Sequence, residues 1–160
     1  MKIMNTGGTF NKRYSERKGK LEVPFDNEAA EKIVKSFAYD VDIAGVLYKD
    51  SLEMDDQDRN ILAQVLLADE EDVFVVIHGT DTMDLSAKVL DETLKDRTVV
   101  LVGAMVPFSI DPVEASVNLG MAMGFAASQP PRGVYICMNG MIAPYERIRK
   151  NRAKGKFEIV

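Results

Sequence analysis

The chain has 160 residues, 46% of them hydrophobic, and a net charge of −5. That length fits one domain with a real core, and the short, interrupted apolar runs exclude a transmembrane helix. One cysteine and one histidine exclude an internal disulfide and a transition-metal cluster, so no cofactor is expected.

The elements read in order as five strands separated by four helices. Residues 2–5 form a short first strand, and residues 6–24 a loop rich in glycine and charge. A helix over residues 27–38 puts Ala30, Ile33, Val34 and Phe37 on one face, with Asp26 or Asn27 as its cap. Residues 42–48 are the second strand. The helix that follows opens with Asp55 as a cap and is expected to bury Ile61, Leu62, Val65 and Leu66 through about Ala68.

Val73–Ile77, with five β-branched or aromatic residues in succession, has the composition of a strand buried on both faces. It ends at His78, Gly79, Thr80 and Asp81, and a helix built on Leu85, Val89 and Leu90 runs from about Thr82 to Leu94. Thr98–Val102 is the fourth strand, closed by Gly103 and a loop through Pro107. Residues 112–128 form a helix rich in alanine, glycine and methionine, apolar on most sides and expected to be sandwiched. Gly133–Met138 is the fifth strand, with Cys137 expected to pack as a small buried hydrophobe, and a basic tail follows.

This alternation predicts a three-layer, doubly wound α/β domain with a mainly parallel five-stranded sheet and helices on both faces. The order of the strands across the sheet is not readable from the pattern. In a parallel sheet the groups that follow strands emerge on one edge: Thr6 to Thr9, Ser51, Thr80 with Asp81, Ala104, and the residues after Met138.

Charge is unevenly spread. Residues 145–156 hold six cations against Glu146 alone, residues 12–20 hold five against Glu16, and residues 50–72 are strongly acidic. Such runs are ordinarily solvated faces; an anionic substrate or an acidic partner surface are the sharper readings. With no aromatic interleaving or RNA-binding signature, nucleic acid is not an expected partner. The N-terminus MKIMNTGG lacks the apolar region of a signal peptide, so the expected location is the cytoplasm.

The chemistry-bearing motifs are T-G-G-T-F at 6–10 and H-G-T-D-T-M at 78–83. By residue type alone the first could merely shape a tight turn, and Thr80 with Asp81 could be a helix N-cap pair. Set together, and with D-S-L-E-M at 50–54, V-G-A-M-x-P at 102–107 and G-V-Y-I-C-M-N at 133–139, the chain resembles the bacterial-type L-asparaginase family over nearly its whole length. The resemblance is to that family's N-terminal α/β domain.

The resemblance implies Thr9 as the nucleophile, which attacks a side-chain amide to give an acyl-enzyme and ammonia. It implies a second cluster of Thr80, Asp81 and Lys150, with Lys150 placed by its distance from Met138 and Asn139. It implies Tyr14 as the tyrosine of a mobile loop, although Tyr14 sits closer to Thr9 than the family pattern. It implies Gly8, Ser51, Leu52, Gly79 and Ala104 around the substrate, with Ser51 on its carboxylate.

Residue chemistry agrees in kind. A threonine hydroxyl needs a neighbouring base, and glycines let the main chain approach to supply oxyanion donors. Two departures bear on specificity: many members have a polar residue at Leu52, and this chain ends at Val160, before the family's smaller C-terminal domain. The expectation is a small asparaginase-like amidohydrolase, homo-oligomeric, acting on asparagine or a related small amide. Alternatives are a non-catalytic small-molecule-binding module, or an ammonia-generating protein resembling the archaeal glutamyl-tRNA amidotransferase D subunit.

Overall fold

A computed structural model describes residues 1–160. β1 (Lys2–Gly7) runs into a 3-10 turn (Thr9–Asn11) and a hairpin of β2 (Arg13–Ser15) and β3 (Lys20–Glu22). Then come α1 (Glu28–Val34), β4 (Asp42–Lys49), a 3-10 turn (Ser51–Glu53), α2 (Asp56–Ala68), β5 (Val73–Ile77) and α3 (Met83–Thr93). β6 (Thr98–Val102), α4 (Pro112–Ala127), β7 (Gly133–Met138) and β8 (Met141–Pro144) follow, and the chain closes with a hairpin of β9 (Ile148–Asn151) and β10 (Lys156–Ile159).

The main sheet has six strands in the order β4-β1-β5-β6-β7-β8. The first five are mutually parallel, and β8 pairs antiparallel with β7. The sheet is therefore one strand larger than the five expected. The cause is a two-residue turn at Asn139 and Gly140, with φ of 52° and 79°, the left-handed pair that matches the twist of a tight hairpin. The loop expected over residues 6–24 and the basic tail likewise each fold into a hairpin.

Alternation along the strands divides the core between the two faces. Phe74, Val76, Val99, Leu101, Ile136 and Met138 pack with Leu62 and Leu66 of α2, Leu90 of α3, and Ile148 and Phe157 of the last hairpin. Val75, Ile77, Val100, Val102 and Cys137 pack instead with Ala30 and Ile33 of α1 and Ala115, Leu119 and Ala122 of α4. This is the three-layer arrangement. The Cys137 thiol, buried, contacts the Asn118 carbonyl, and burial pushes its pKa up to about 12. No helix is long and apolar enough to cross a membrane.

Several predicted faces are rotated or trimmed. α2 buries Arg59, Leu62, Ala63 and Leu66, one stripe at helical spacing, and leaves Ile61 and Val65 largely outside. α3 buries Met83, Ser86, Ala87 and Leu90, with Leu85 exposed. α4 is not sandwiched on all sides, since Val113 and Val117 are exposed. α1 stops at Val34 because the Ser36 hydroxyl donates to the Ile33 carbonyl and the Phe37 amide to that of Val34, tightening the last turn.

α2 has a capping box: the Asp55 carboxylate accepts from the Asp58 amide, and the Asp58 carboxylate from the Asp55 amide. Asp55→Ala removes one half of it. The expected loss is about 1 kcal/mol, or about 2–4 °C in Tm, measured by thermal denaturation.

Candidate active site

β1 and β5 are neighbours whose crossovers leave in opposite directions, β1 toward β4 and β5 toward β6. That makes the space beyond their carboxyl ends the switch point of the sheet, where open α/β folds place ligands. The two threonine motifs leave from these two strands. The Thr6 hydroxyl donates to the Ile77 carbonyl across 2.8 Å, fixing one strand end to the other.

Beyond that bond the two backbones touch. A Cβ built on Gly8 would lie 2.5 Å from both Cα and N of Gly79, and one built on Gly79 would lie 2.5 Å from the Ser51 Oγ. Gly8 also has a φ of 71°. No side chain fits at either glycine, so both positions require what glycine alone supplies. Thr9 and Thr80 are each the next residue after one of these glycines; Thr9 is half-buried and Thr80 buried.

Lys150 enters from β9. Its ammonium donates to Thr80 Oγ1 at 2.8 Å and to Asp81 Oδ1 at 2.9 Å, with a side chain only 14% exposed. Arg152, on the same hairpin, lies 3.1 Å from Asp81 Oδ1 and donates to the Asp81 carbonyl at 3.0 Å. The Asp81 amide donates to Ser51 Oγ at 3.3 Å, and the Thr82 hydroxyl to the Ser51 carbonyl at 2.8 Å. Asp81 is thus held through amide, carbonyl and carboxylate at once. Arg149 turns away, donating to the Tyr145 carbonyl.

Thr80, Asp81, Lys150, Ser51, Gly79 and Gly8 therefore form one connected group, and Thr9 follows Gly8 in the chain. Ala104 is buried in the loop after β6, where a Cβ on Gly103 would lie 2.6 Å from the His78 carbonyl oxygen and 3.1 Å from Thr80 Cγ2. Two predicted residues stand apart from the hydrogen-bonded group. Tyr14 is 63% exposed on the β2–β3 hairpin and Leu52 is 66% exposed beside Ser51. Clefts of about 360 and 320 Å³ open beside the Gly8 turn, the first against Phe10, Asn11 and Phe108, the second against Lys12, Tyr48 and Asp50; neither is lined by Thr9 or Thr80.

Sequence reasoning missed four contributors. Lys12 pairs with Asp50, tying the first hairpin to the loop that carries Ser51. Burial opposes ionisation of Asp50, but the Lys12 ammonium and the Leu52 amide prevail and hold its pKa below the usual carboxylate value. The Asn118 amide donates to the Gly103 carbonyl at 3.0 Å. Glu114 accepts from the Met105 and Val106 amides, both at 3.0 Å. The Lys12 and Asn118 bonds are long-range, with no local signature, and those of Glu114 reach back over a loop; only the Asp111-Pro112 helix start marks Glu114 as a first-turn acid.

His78 is fully buried. Its Nδ1 lies 2.8 Å from the Gly79 carbonyl oxygen and its Nε2 2.8 Å from the Ser86 hydroxyl. A neutral ring satisfies both contacts by donating from Nδ1 and accepting at Nε2. Burial, helped by Arg59 and opposed by the Gly79 carbonyl, lowers its pKa to about 4. It fixes the turn and is uncharged at neutral pH.

Compared with known proteins, residues 1–157 match the family model described as "Asparaginase, N-terminal". L-asparaginase 2 of Escherichia coli (strain K12) is 33% identical over 150 residues, covering 88% of this chain and 43% of that protein. The D subunit of the glutamyl-tRNA(Gln) amidotransferase of Methanococcus maripaludis is 28% identical over 147 residues, covering 86% of this chain and 34% of that protein. The thermostable L-asparaginase from Thermococcus kodakarensis superposes on the whole chain and on 51% of its own, with a TM-score of 0.82 and 24% identity, a likeness of fold. The chain spans less than half the length of the first two of these relatives.

The buried histidine sets a pH dependence. An unfolded chain protonates His78 near 6.5, the folded chain only at about 4, so between those values the unfolded state binds more protons. The stability that His78 contributes is complete above the higher value and lost as pH falls toward the lower. Urea unfolding at about pH 6.5 and about pH 5 should show a loss of about 2 kcal/mol, and clearly less in His78→Gln. Equal losses in the two proteins contradict this reading.

Proposed function

This chain belongs to the asparaginase family, and on that premise we propose that it is an amidohydrolase that cleaves a small side-chain amide, L-asparagine or a relative of it, to the acid and ammonia. In the proposed cycle Thr9 Oγ1 attacks the amide carbon and gives up its proton, the C–N bond breaks as the nitrogen is protonated, and ammonia leaves an ester on Thr9. Water then attacks the ester carbonyl, releasing the acid and restoring the hydroxyl. Both steps pass through an oxyanion that needs preorganised donors, and the close-packed glycine turns are suited to supply them.

Thr80, Asp81 and Lys150 serve proton transfer to and from the nucleophile or the water. With Lys150 neutral, the Thr80 hydroxyl donates to Nζ and its oxygen accepts the proton that Thr9 or the water gives up; the lysine so protonated returns a proton along the same two hydrogen bonds to the leaving nitrogen or to Thr9. Ser51 and the backbone at Gly79 and Ala104 fix the substrate, and Leu52 makes the rim less polar than in many relatives. Tyr14, exposed on the β2–β3 hairpin, reaches the substrate when that hairpin folds over the site. We further propose a homo-oligomer in the cytoplasm, its acidic and basic segments apposed.

The observation that supports this most is the 2.8 Å contact of Lys150 with Thr80, on the turn whose glycine packs against the one before Thr9. The similarity to a glutamyl-tRNA(Gln) amidotransferase chain supports a second reading, in which the ammonia is passed to another protein.

Ammonia release from asparagine, glutamine and simple amides tests both readings. Hydrolysis of the free amide is expected for wild type, none for Thr9→Ala, and a loss on the order of 10²–10⁴-fold for Thr80→Ala and Lys150→Met. Undiminished release by Thr9→Ala would remove the nucleophile assignment. Sedimentation tests the oligomer, and a monomer at working concentration contradicts it.

A further inference from the structure

Glu114 lies at the third position of α4, after the Asp111 cap and Pro112. One of its oxygens accepts from the Met105 and Val106 amides, both at 3.0 Å. The other accepts from the Asn139 side-chain amide at 3.3 Å. This carboxylate therefore joins the loop after β6, whose Gly103 packs on the Thr80 methyl, to the tight turn between β7 and β8.

Asn139 carries the connection onward. Its backbone is left-handed, with φ of 52°, and its side-chain carbonyl oxygen accepts from the Phe157 amide at 3.0 Å. Phe157 stands directly opposite Lys150 in the β9–β10 hairpin, and its side chain is buried in the core against the sheet. Because its amide is spent on Asn139, Phe157 is held to the main body at the residue that faces Lys150. The ammonium of Lys150 then reaches Thr80. The path from Glu114 through Asn139 and Phe157 ends at the same threonine whose methyl lies against Gly103.

We propose that Glu114 and Asn139 are positioning residues that set the place of Lys150 against Thr80 and Asp81. The proposal rests on the functional reading above, for which that placement is the proton-transfer geometry. Neither residue touches substrate; each acts through the backbone of a neighbouring element. Displacing a catalytic group by about 1 Å lowers rates by about 100-fold, so a fixed carboxylate at this distance has a strong effect without contributing chemistry.

Glutamine at 114 discriminates this role from helix capping. It has nearly the shape of glutamate but one oxygen, so in either orientation its amino group faces an N–H donor. Asn139 cannot turn to compensate without dropping the Phe157 amide. Glu114→Gln is therefore expected to loosen the Asn139 turn, and with it the register of the β9–β10 hairpin at Phe157, while leaving the core packed. Asn139→Gly removes the side chain and keeps the left-handed turn accessible.

The test has two arms on the full chain. In the first, peptide mass spectrometry follows acetylation of lysines in wild type, Glu114→Gln and Asn139→Gly. Lys150 is expected to react about tenfold faster or more in both variants, with exposed Lys154 and Lys88 unchanged. This arm does not depend on turnover, so it stands even if the chain releases no ammonia and the functional reading fails. In the second, kcat for ammonia release is expected to fall about 10- to 100-fold with KM within twofold, and the double variant to be no worse than the poorer single one. Unchanged Lys150 labelling in both variants, or an equal rise at Lys154 and Lys88, would overturn the proposal. So would a loss confined to KM.

Discussion

The contact of two glycine backbones governs this site. Gly8 and Gly79 leave neighbouring strands and pack so closely that neither tolerates a Cβ, and Ser51 closes against Gly79 from a third strand. Side-chain hydroxyls have a short reach, so two threonines from distant parts of a chain can share a reaction centre only when their main chains nearly meet. A parallel sheet delivers strand ends to one edge, but at the spacing of paired strands; the missing side chains bring the loops closer than that.

Around this contact the rest of the molecule acts as a frame. The Thr6 hydroxyl bonds the end of β5, a neutral buried His78 holds the turn from beneath through Gly79 and Ser86, and Asp81 is secured through its amide, carbonyl and carboxylate. Lys150 arrives on a hairpin outside the main sheet, so its placement depends on the bonds that anchor that hairpin. Buried apolar residues at Ile148 and Phe157 supply the affinity, and polar bonds such as Asn139 to Phe157 supply the register. With Lys150 and Arg152 both on Asp81, the cluster has more positive than negative charge.

How much of this the sequence displays depends on how local each signal is. The ends of β5, β6 and β7 are readable because these strands are short, largely apolar runs rich in β-branched and aromatic residues and bounded by turn residues. β8 escapes notice although Asn139-Gly140 is a strong hairpin signal, because its four residues are too few to show an alternation of their own. β9 and β10 look like a basic tail: their exposed cations mask the alternation of Ile148 and Lys150 against Phe157 and Ile159. The buried stripes of α2 and α3 lie one position away from the expected ones, since Ile61, Val65 and Leu85 are apolar yet face outward. The threonine motifs are legible because their residues are contiguous. Glu114, Asn118 and Lys12 are not, because each joins elements that are apart in the chain, across 25, 15 and 38 positions for Asn139, Gly103 and Asp50.

The account stands on Thr9 reacting at a centre shared with Thr80 and Lys150. Acid quenching during turnover of asparagine, followed by peptide mass mapping, observes that centre directly. An aspartyl ester on Thr9 is the result predicted, accumulating in wild type and formed more slowly in Lys150→Met. Ammonia released with the ester on a different residue, or with no ester at Thr9 on any timescale of turnover, would contradict it.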